Sequence, residues 1–283
     1  MIPIELRDDP DEPGAAEAYV VATVAGREYR LTLDTGGARS TLPLDDLTST
    51  FARADVDDEP GRGALGPGSA DTGRVVVPSI VLGPLEVRDL VVDVAPDGSD
   101  APTILGLDVL RGHRLELRLA DVMLGIDTDA PVDAERPLPL SSRSHPHVVV
   151  GWGDVEATAL FDTGASVTVV DAAFAAEHPE LLAPLPPSTG TDAAGNRAET
   201  PMARMAACEV GGRRFDASLA VILPIRGIQR AGDPEFDLIL GVPVIRQADW
   251  IIDLARGVWG FRGPTVPPGA VAAIVPSSAS FSR

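Results

Sequence analysis

The stretch ALFDTGASVTVV, residues 159–170, places an Asp-Thr-Gly triplet between two apolar runs. An earlier stretch, RLTLDTGGARSTL at residues 30–42, has the same arrangement. Runs of Val, Leu and Thr favour β-strands, and Gly favours a tight turn. Each triplet is therefore predicted to lie where a buried strand ends, with its Asp at the turn.

The two triplets belong to a longer internal repeat. Residues 19–36 align with residues 147–164 without a gap, at an offset of 128. Residues 103–126 match residues 238–261 at an offset of 135, so the second copy carries a small insertion. Two copies of one supersecondary unit explain this pattern.

The repeat divides the chain into two predicted lobes. The N-terminal lobe covers residues 1–126, a Pro-rich polar linker covers 127–146, and the C-terminal lobe covers 147–263. The tail, 264–283, is expected to be partly disordered or to add one terminal strand at 270–275. Because strand signals dominate, the predicted fold class is all-β, two-lobed, with pseudo-two-fold symmetry and few short helices.

Three short segments are the candidate helices. Residues 171–178 predict one helix, with Asp171 near its start. The other two follow the apolar-apolar-Gly steps of the repeat, at residues 107–112 and 242–247.

The bulk composition narrows the class of protein. A formal net charge of −19 disfavours nucleic acid and anionic membrane surfaces as partners, because a protein binds either of them through clusters of its own basic side chains. The single cysteine, Cys208, cannot form an internal disulfide and is expected in the core. The chain starts without a basic segment leading to an apolar run, and no apolar run is long enough to span a bilayer, so a cytoplasmic location is predicted.

Two acids at such turns offer a defined chemistry if the fold brings them together. When two partly buried carboxyl groups lie within hydrogen-bonding distance, both cannot ionise, and one proton is shared between them. The charged carboxyl then acts as general base on a water, while the protonated one donates to a substrate carbonyl. Asp34 and Asp162 are therefore the candidate catalytic pair for peptide hydrolysis without a covalent intermediate. Either can hold the proton, so the role belongs to the pair.

The rest of each triplet supports the carboxyl groups in this hypothesis. Glycine lets the loop turn tightly and lets backbone N–H groups approach the carboxylate. The threonine hydroxyl can hydrogen-bond the opposite loop and so fix the pair. The predicted loop-support residues are Thr35, Gly36, Thr163 and Gly164.

Both triplets are followed, later in their copy, by an apolar-apolar-Gly step: Ile104-Leu105-Gly106 and Ile239-Leu240-Gly241. With these steps the chain resembles the retropepsin-like aspartic proteases, in the single-chain, two-lobed arrangement of pepsins. The resemblance covers residues 19–126 and 147–261. It implies an aspartic endopeptidase that binds an extended peptide or protein substrate as an added strand, with no metal and no organic cofactor.

The chain departs from the pepsin pattern at two places. Pepsins carry Ser or Thr directly after the triplet, where this chain has Gly37 and Ala165. Without that hydroxyl donor the charged form loses support, so the pair is expected to titrate higher than in pepsin. Pepsins also carry a flap tyrosine, whereas both tyrosines here, Tyr19 and Tyr29, precede the first triplet.

A third triplet, Asp71-Thr72-Gly73, lacks an apolar strand before it and is interpreted as a hairpin tip or loop. The family places a mobile hairpin, the flap, between the triplet and the apolar-apolar-Gly step. Residues 61–73 are the matching Gly-rich segment of the first copy, and residues 188–200 are the counterpart in the second. Substrate contacts are predicted near Gly66, Gly68, Ala194 and Gly195.

Other readings stay open at this point. The chain can instead be a peptide-binding or assembly module that has the fold without turnover, since an acid-dependent protease would be idle near neutral pH. A monomer is the first expectation, and a homodimer with paired half-sites is the alternative.

Several further polar residues are interpreted as structural. His145 and His147 allow a metal hypothesis, but they lack a third ligand at a suitable spacing, so a solvated surface is expected. Asp108, Asp249 and Asp253 are interpreted as caps or surface residues.

Overall fold

The computed structural model describes residues 1–10, 12–54, 62–67, 73–95, 102–192 and 195–264. Strands make up most of this part of the chain, and the few helices are short. The all-β prediction is therefore confirmed. The predicted terminal strand at 270–275 lies outside the described residues.

The strands of the first sequence copy follow one another with short connections. They are β1 (Ile2–Pro3), β2 (Glu5–Asp8), β3 (Ala16–Val24), β4 (Arg27–Leu33), β5 (Thr41–Pro43), β6 (Ala52–Arg53), β7 (Arg62–Gly63), β8 (Gly66–Pro67), β9 (Gly73–Leu82), β10 (Leu85–Ala95), β11 (Ile104–Leu105), β12 (Arg114–Arg118) and β13 (Met123–Ile126).

The second copy and the segment that precedes it supply the rest. They are β14 (Arg136–Pro137), β15 (His147–Trp152), β16 (Val155–Phe161), β17 (Thr168–Asp171), β18 (Leu182–Thr191), β19 (Arg197–Met205), β20 (Cys208–Val210), β21 (Arg213–Phe215), β22 (Ser218–Leu223), β23 (Leu238–Leu240), β24 (Asp249–Asp253) and β25 (Val258–Phe261).

The helices lie where the sequence predicts them. They are α1 (Leu107–Leu110), α2 (Ala172–Glu177) and α3 (Val242–Ile245), together with 3₁₀ turns at Thr48–Thr50, Pro179–Leu181 and Ile225–Ile228. Asp171 caps α2, because its carboxylate accepts the N–H groups of Ala173 and Phe174. Within the ranges given above, no helix combines the length and apolar character that crossing a bilayer requires.

Each copy builds its own large sheet. Among the described residues, the first has the order β2-β3-β4-β11-β5-β10-β9-β6 and the second has the order β18-β19-β22-β17-β23-β16-β15-β20-β21. β3 and β4 form a hairpin whose turn residues, Ala25 and Gly26, both have positive φ, as a two-residue turn between twisted strands requires. Every second residue of β3, from Ala16 to Val24, is buried, which places one face of the strand on the core.

A third sheet joins the two copies. Its order is β1-β13-β12-β24-β25-β14, and β12 pairs with β24 so that Leu115 lies opposite Ile252. The predicted linker contributes β14 to this sheet. Buried apolar residues of both copies form one continuous core, within which Trp250 contacts Phe161 at 5.1 Å between ring centroids. The core therefore supports the second Asp-Thr-Gly loop from below, since Phe161 is the last residue of β16.

Candidate active site

The two predicted catalytic acids follow equivalent strands. Asp34 comes directly after β4 and Asp162 directly after β16. The N–H of Asp34 donates to the carbonyl of Leu105 at 3.0 Å, and that of Asp162 donates to the carbonyl of Leu240 at 3.0 Å. The first half of each repeat is thus fixed to the apolar-apolar-Gly step of the same copy.

The threonines of the triplets tie the two loops together. The Thr35 hydroxyl donates to the carbonyl of Phe161 at 2.8 Å, and the Thr163 hydroxyl donates to the carbonyl of Leu33 at 2.6 Å. Each hydroxyl also accepts the other threonine's N–H at 3.1 Å. Both threonines are fully buried, so these four bonds form a dry, reciprocal link across the pseudo-two-fold axis.

The glycines let each carboxyl group reach the opposite loop. Gly36 and Gly164 each donate an N–H to the carboxylate of their own triplet at 2.8 Å, and the Gly36 N–H also lies 3.2 Å from Asp162 Oδ1. A Cβ on Gly36 would lie 2.3 Å from the Asp162 carboxyl carbon. A Cβ on Gly164 would lie 2.5 Å from the Asp34 carboxyl carbon. Each acid therefore occupies the space that a side chain on the other loop would need.

The environment raises the pKa of both acids. For Asp34, burial is the largest cause, followed by the charge of Asp162 and a hydrogen bond between the two carboxyl groups, and together they hold its pKa well above the ordinary value. For Asp162, burial raises the pKa against the N–H groups of its own loop, which favour the charged form. The two groups therefore titrate as a coupled pair that retains a proton above the usual range of a carboxyl group.

The residue after each triplet supports the carboxylate of its own loop through its backbone N–H. The Gly37 N–H donates to Asp34 Oδ1 at 2.6 Å, so the backbone supports the carboxylate at this position. A Cβ on Gly37 would lie 2.7 Å from Asp34 Oδ2 and 2.9 Å from Ile104 Cδ1, so a serine or threonine at this position would require both side chains to move. In the second loop the Ala165 N–H supports the Asp162 carboxylate in the same way.

The apolar-apolar-Gly steps pack against the loops that they follow in sequence. The Leu107 N–H donates to the Gly37 carbonyl at 2.8 Å, and the Val242 N–H donates to the Ala165 carbonyl at 2.9 Å. A Cβ on Gly106 would lie 2.8 Å from the Gly37 carbonyl oxygen, so only glycine fits there. The resemblance to the retropepsin-like proteases implies this packing.

The first lobe contains a polar cluster that the sequence reading missed. The Ser40 hydroxyl donates to Asp108 Oδ1 at 2.7 Å and accepts the Gly106 N–H at 2.9 Å, while the Ser40 N–H donates to Asp108 Oδ2 at 2.9 Å. Asp108 lies in the first turn of α1, but its carboxylate fixes the loop rather than only capping the helix. The alignment of the two copies could have indicated this difference, because Asp108 aligns with Pro243 and so has no counterpart in the second lobe.

The predicted flap residues are only partly described. Gly66 lies in β8 of the β7–β8 hairpin, and Gly195 lies in the turn between β18 and β19, with φ of +81°. Gly68 and Ala194 lie outside the described residues, as do the first two residues of the third triplet. Contact with a substrate stays a prediction for all four.

The interpretation of the histidines as a solvated surface is wrong for His147. Its side chain is 2% exposed, and its ring lies 5.7 Å from the ring of Phe236. Burial lowers the pKa of the neighbouring His145 to about 4. The error arose because the Pro-rich surroundings suggest a loop, whereas His147 begins β15 and faces the core. In the part of the chain that is described, no three side chains of His, Cys, Asp or Glu cluster as a metal site would need.

The comparison with known families agrees with this geometry. The model of the family described as aspartyl protease matches residues 20–109 and 148–244, together about two thirds of the chain. Its two segments coincide with the two sequence copies, and each includes one Asp-Thr-Gly loop and its apolar-apolar-Gly step. No curated protein matches the chain. The chain therefore belongs to the aspartyl protease family.

Proposed function

We propose that this protein is an aspartic endopeptidase that hydrolyses peptide bonds with a water held between Asp34 and Asp162. The observation that carries the proposal is the close approach of each carboxyl group to the glycine of the opposite loop. The coupled rise in the pKa of the two acids supports it further, because a dyad of this kind needs one charged and one protonated member.

The chemistry uses the pair in two roles. The charged carboxylate removes a proton from the water, whose oxygen attacks the peptide carbonyl carbon. The protonated carboxyl donates its proton to the carbonyl oxygen, which gives a neutral tetrahedral diol. The C–N bond then breaks as the newly protonated acid gives its proton to the leaving nitrogen. The other acid recovers a proton from the diol as the carboxylic acid product forms, so the pair returns with one shared proton.

The cleft between the two copies is the expected place for the substrate. Both catalytic loops come from one chain, which supports a monomer as the working unit. The substrate would be an extended peptide that pairs with the hairpins as an added strand. A cytoplasmic location remains a prediction from the sequence.

Cleavage of a peptide library between pH 4 and 7 tests the proposal. Asp34→Asn and Asp162→Asn should each abolish cleavage, because either change removes the acid–base pair. Asp154→Asn is the matched control, since this aspartate is exposed in the β15–β16 turn, and it should retain wild-type activity. Full activity in either catalytic variant would overturn the proposal.

A statine-type peptide separates turnover from binding. An active monomeric enzyme should bind one such molecule per chain and lose cleavage as a result. Binding with no cleavage by the wild-type chain would instead identify a peptide-binding module. Two half-sites shared between chains would appear as a dimer in solution mass measurements.

A further inference from the structure

The tip of the first-lobe hairpin touches the second lobe through a buried carboxylate. The N–H of Leu65, between β7 and β8, donates to Asp192 Oδ2 at 2.8 Å. Asp192 follows β18 and is only 8% exposed. The two residues are 127 positions apart in the sequence, so this bond joins the two copies at the tips of their hairpins.

The turn of the second hairpin holds the Asp192 carboxylate in place. Asp192 Oδ1 accepts the backbone N–H of Asn196 at 2.9 Å, and Oδ2 accepts the Asn196 side-chain amide at 3.2 Å. The Asp192 N–H also donates to the Asn196 carbonyl at 2.9 Å. The acceptor for Leu65 is therefore oriented by its own turn.

The same tip rests on apolar side chains of the second lobe. Ala64 and Leu65 pack against a cluster that we call the second-lobe apolar cluster, which includes Leu160, Val169, Met202, Val221 and Ile239. Ala165, the residue after the second triplet, packs on the same cluster. The tip thus lies on the apolar surface that also supports the second catalytic loop.

We propose that Asp192 is a positioning residue that latches the first-lobe hairpin onto the second-lobe apolar cluster. The contact must break before a peptide enters or a product leaves. The latch is one-sided, because residues 62–67 of the first hairpin contain no carboxylate that could make the same contact in return. A hydrogen bond to a charged, partly desolvated acceptor is among the stronger kinds, so its loss should favour the open hairpin about tenfold. This inference rests on the proposed function for its consequence, but the contact itself can be tested without turnover.

Amide hydrogen exchange of residues 62–67 in the full chain tests the latch directly. Asp192→Ala should speed exchange at Leu65 about tenfold. Asp192→Asn, which retains an acceptor oxygen, should fall between Asp192→Ala and the wild type. Asn196→Ala removes one of the bonds that orient the Asp192 carboxylate and should speed exchange at Leu65 less than Asp192→Ala does. Asp154→Asn, which changes an exposed carboxylate in the β15–β16 turn, is the matched control and should leave exchange at Leu65 at the wild-type value. Unchanged exchange in Asp192→Ala, or equal acceleration in Asn196→Ala, would overturn the proposal.

The association rate of a statine-type peptide tests the consequence. Asp192→Ala should raise this rate about tenfold relative to the wild type and to Asp154→Asn, and Asp192→Asn should recover part of the difference. Faster exchange with an unchanged association rate would overturn the gating role. Faster exchange in a chain that binds no such peptide would support the latch and count against the proposed function, so the two failures are distinguishable.

Discussion

The two Asp-Thr-Gly loops share their central contacts and differ in what surrounds them. The cross-lobe threonine bonds are reciprocal to within 0.2 Å, at 2.8 Å for Thr35 and 2.6 Å for Thr163. Behind the first loop, Ser40 bonds the Asp108 carboxylate, whereas Thr168 in the second loop accepts a single N–H from Gly241 at 3.3 Å. The reciprocal threonine bonds therefore bring the two carboxyl groups together, whereas the bonds behind the loops stabilise each lobe in a different way.

Asp34 and Asp162 also differ in their exposure and in the groups that surround them. Asp34 is 4% exposed and receives N–H bonds from Gly36 and Gly37, while Asp162 is more exposed. Burial and the charge of Asp162 both raise the pKa of Asp34, whereas for Asp162 the N–H groups of its loop oppose the rise in pKa that burial causes. The two acids of the repeat therefore have different surroundings although they titrate as one coupled pair.

We expect the largest effect on activity from substitutions of the two triplet glycines, each of which faces the carboxyl group of the opposite loop. Gly36→Ala or Gly164→Ala would place a methyl group 2.3 or 2.5 Å from the opposite carboxyl carbon. Because that atom must move away, we expect at least a 100-fold loss of kcat/KM in either variant, of similar size for the two. Peptide cleavage assays measure this.

Gly227→Ala is the matched control for this prediction. Gly227 is exposed in the 3₁₀ turn Ile225–Ile228 and a Cβ there meets no atom within 4 Å, so activity should stay at the wild-type level. An active Gly164→Ala variant would show that the carboxyl groups do not face each other's loops.

Removing either threonine hydroxyl from the link between the loops should lower stability by the same amount. Thr35→Val and Thr163→Val each leave a buried carbonyl and a buried N–H without a partner, so each should lower the free energy of unfolding by about 3 kcal/mol. Denaturant unfolding measures this difference. A cost of that size for one variant and none for the other would break the symmetry that the geometry implies.

The polar clusters behind the loops should distinguish the lobes. Ser40→Ala removes the hydroxyl's bonds to Asp108 and Gly106, while the Ser40 backbone N–H still donates to Asp108, and it should cost about 2 kcal/mol. Thr168→Val removes one long bond and should cost about 1 kcal/mol. Equal losses of stability in thermal or denaturant unfolding would mean that the bonds to Asp108 do not make the first loop more stable than the second.

The pH dependence of stability gives a smaller, directional test. Because the pKa of Asp34 is raised on folding, the folded state binds more protons than the unfolded state, and stability falls as pH rises from the ordinary carboxyl value through the raised one. Asp34→Asn cannot ionise and should therefore gain stability over the wild type at neutral pH, but not at pH 3. Asp162→Asn should show the same trend, because the pKa of Asp162 is also raised. Melting temperatures measured between pH 3 and neutral pH test this. They would contradict the account if the stability of Asp34→Asn relative to the wild type did not increase with pH.

Much of the fold and the central pair could be predicted because the sequence repeats itself. An apolar strand that ends at Asp-Thr-Gly is a local pattern, and the downstream Gly step confirms its register in each copy. The short helices followed from the same alignment, and Asp171 marked the start of α2. Periodicity and turn residues are local signals, so a single sequence can carry them.

The missed features depend on contacts between distant segments. The bond of Leu65 to Asp192 spans 127 residues, and neither residue has a local pattern that indicates it. Ser40 and Asp108 are 68 positions apart, and an acid at the start of a helix predicts a cap equally well. His147 looked exposed because the strand that buries it begins at that residue.

The most direct test of the central claim is an NMR titration of the Asp34 carboxyl carbon in protein labelled at its aspartates, with Asp34→Asn as the assignment control. The account predicts that Asp34 stays protonated well above the ordinary value of 3.8, and that its pKa falls part of the way back in Asp162→Asn, where the neighbouring charge is gone but burial remains. A titration near 3.8 that does not change when Asp162 is replaced would contradict the claim that the two acids share one proton.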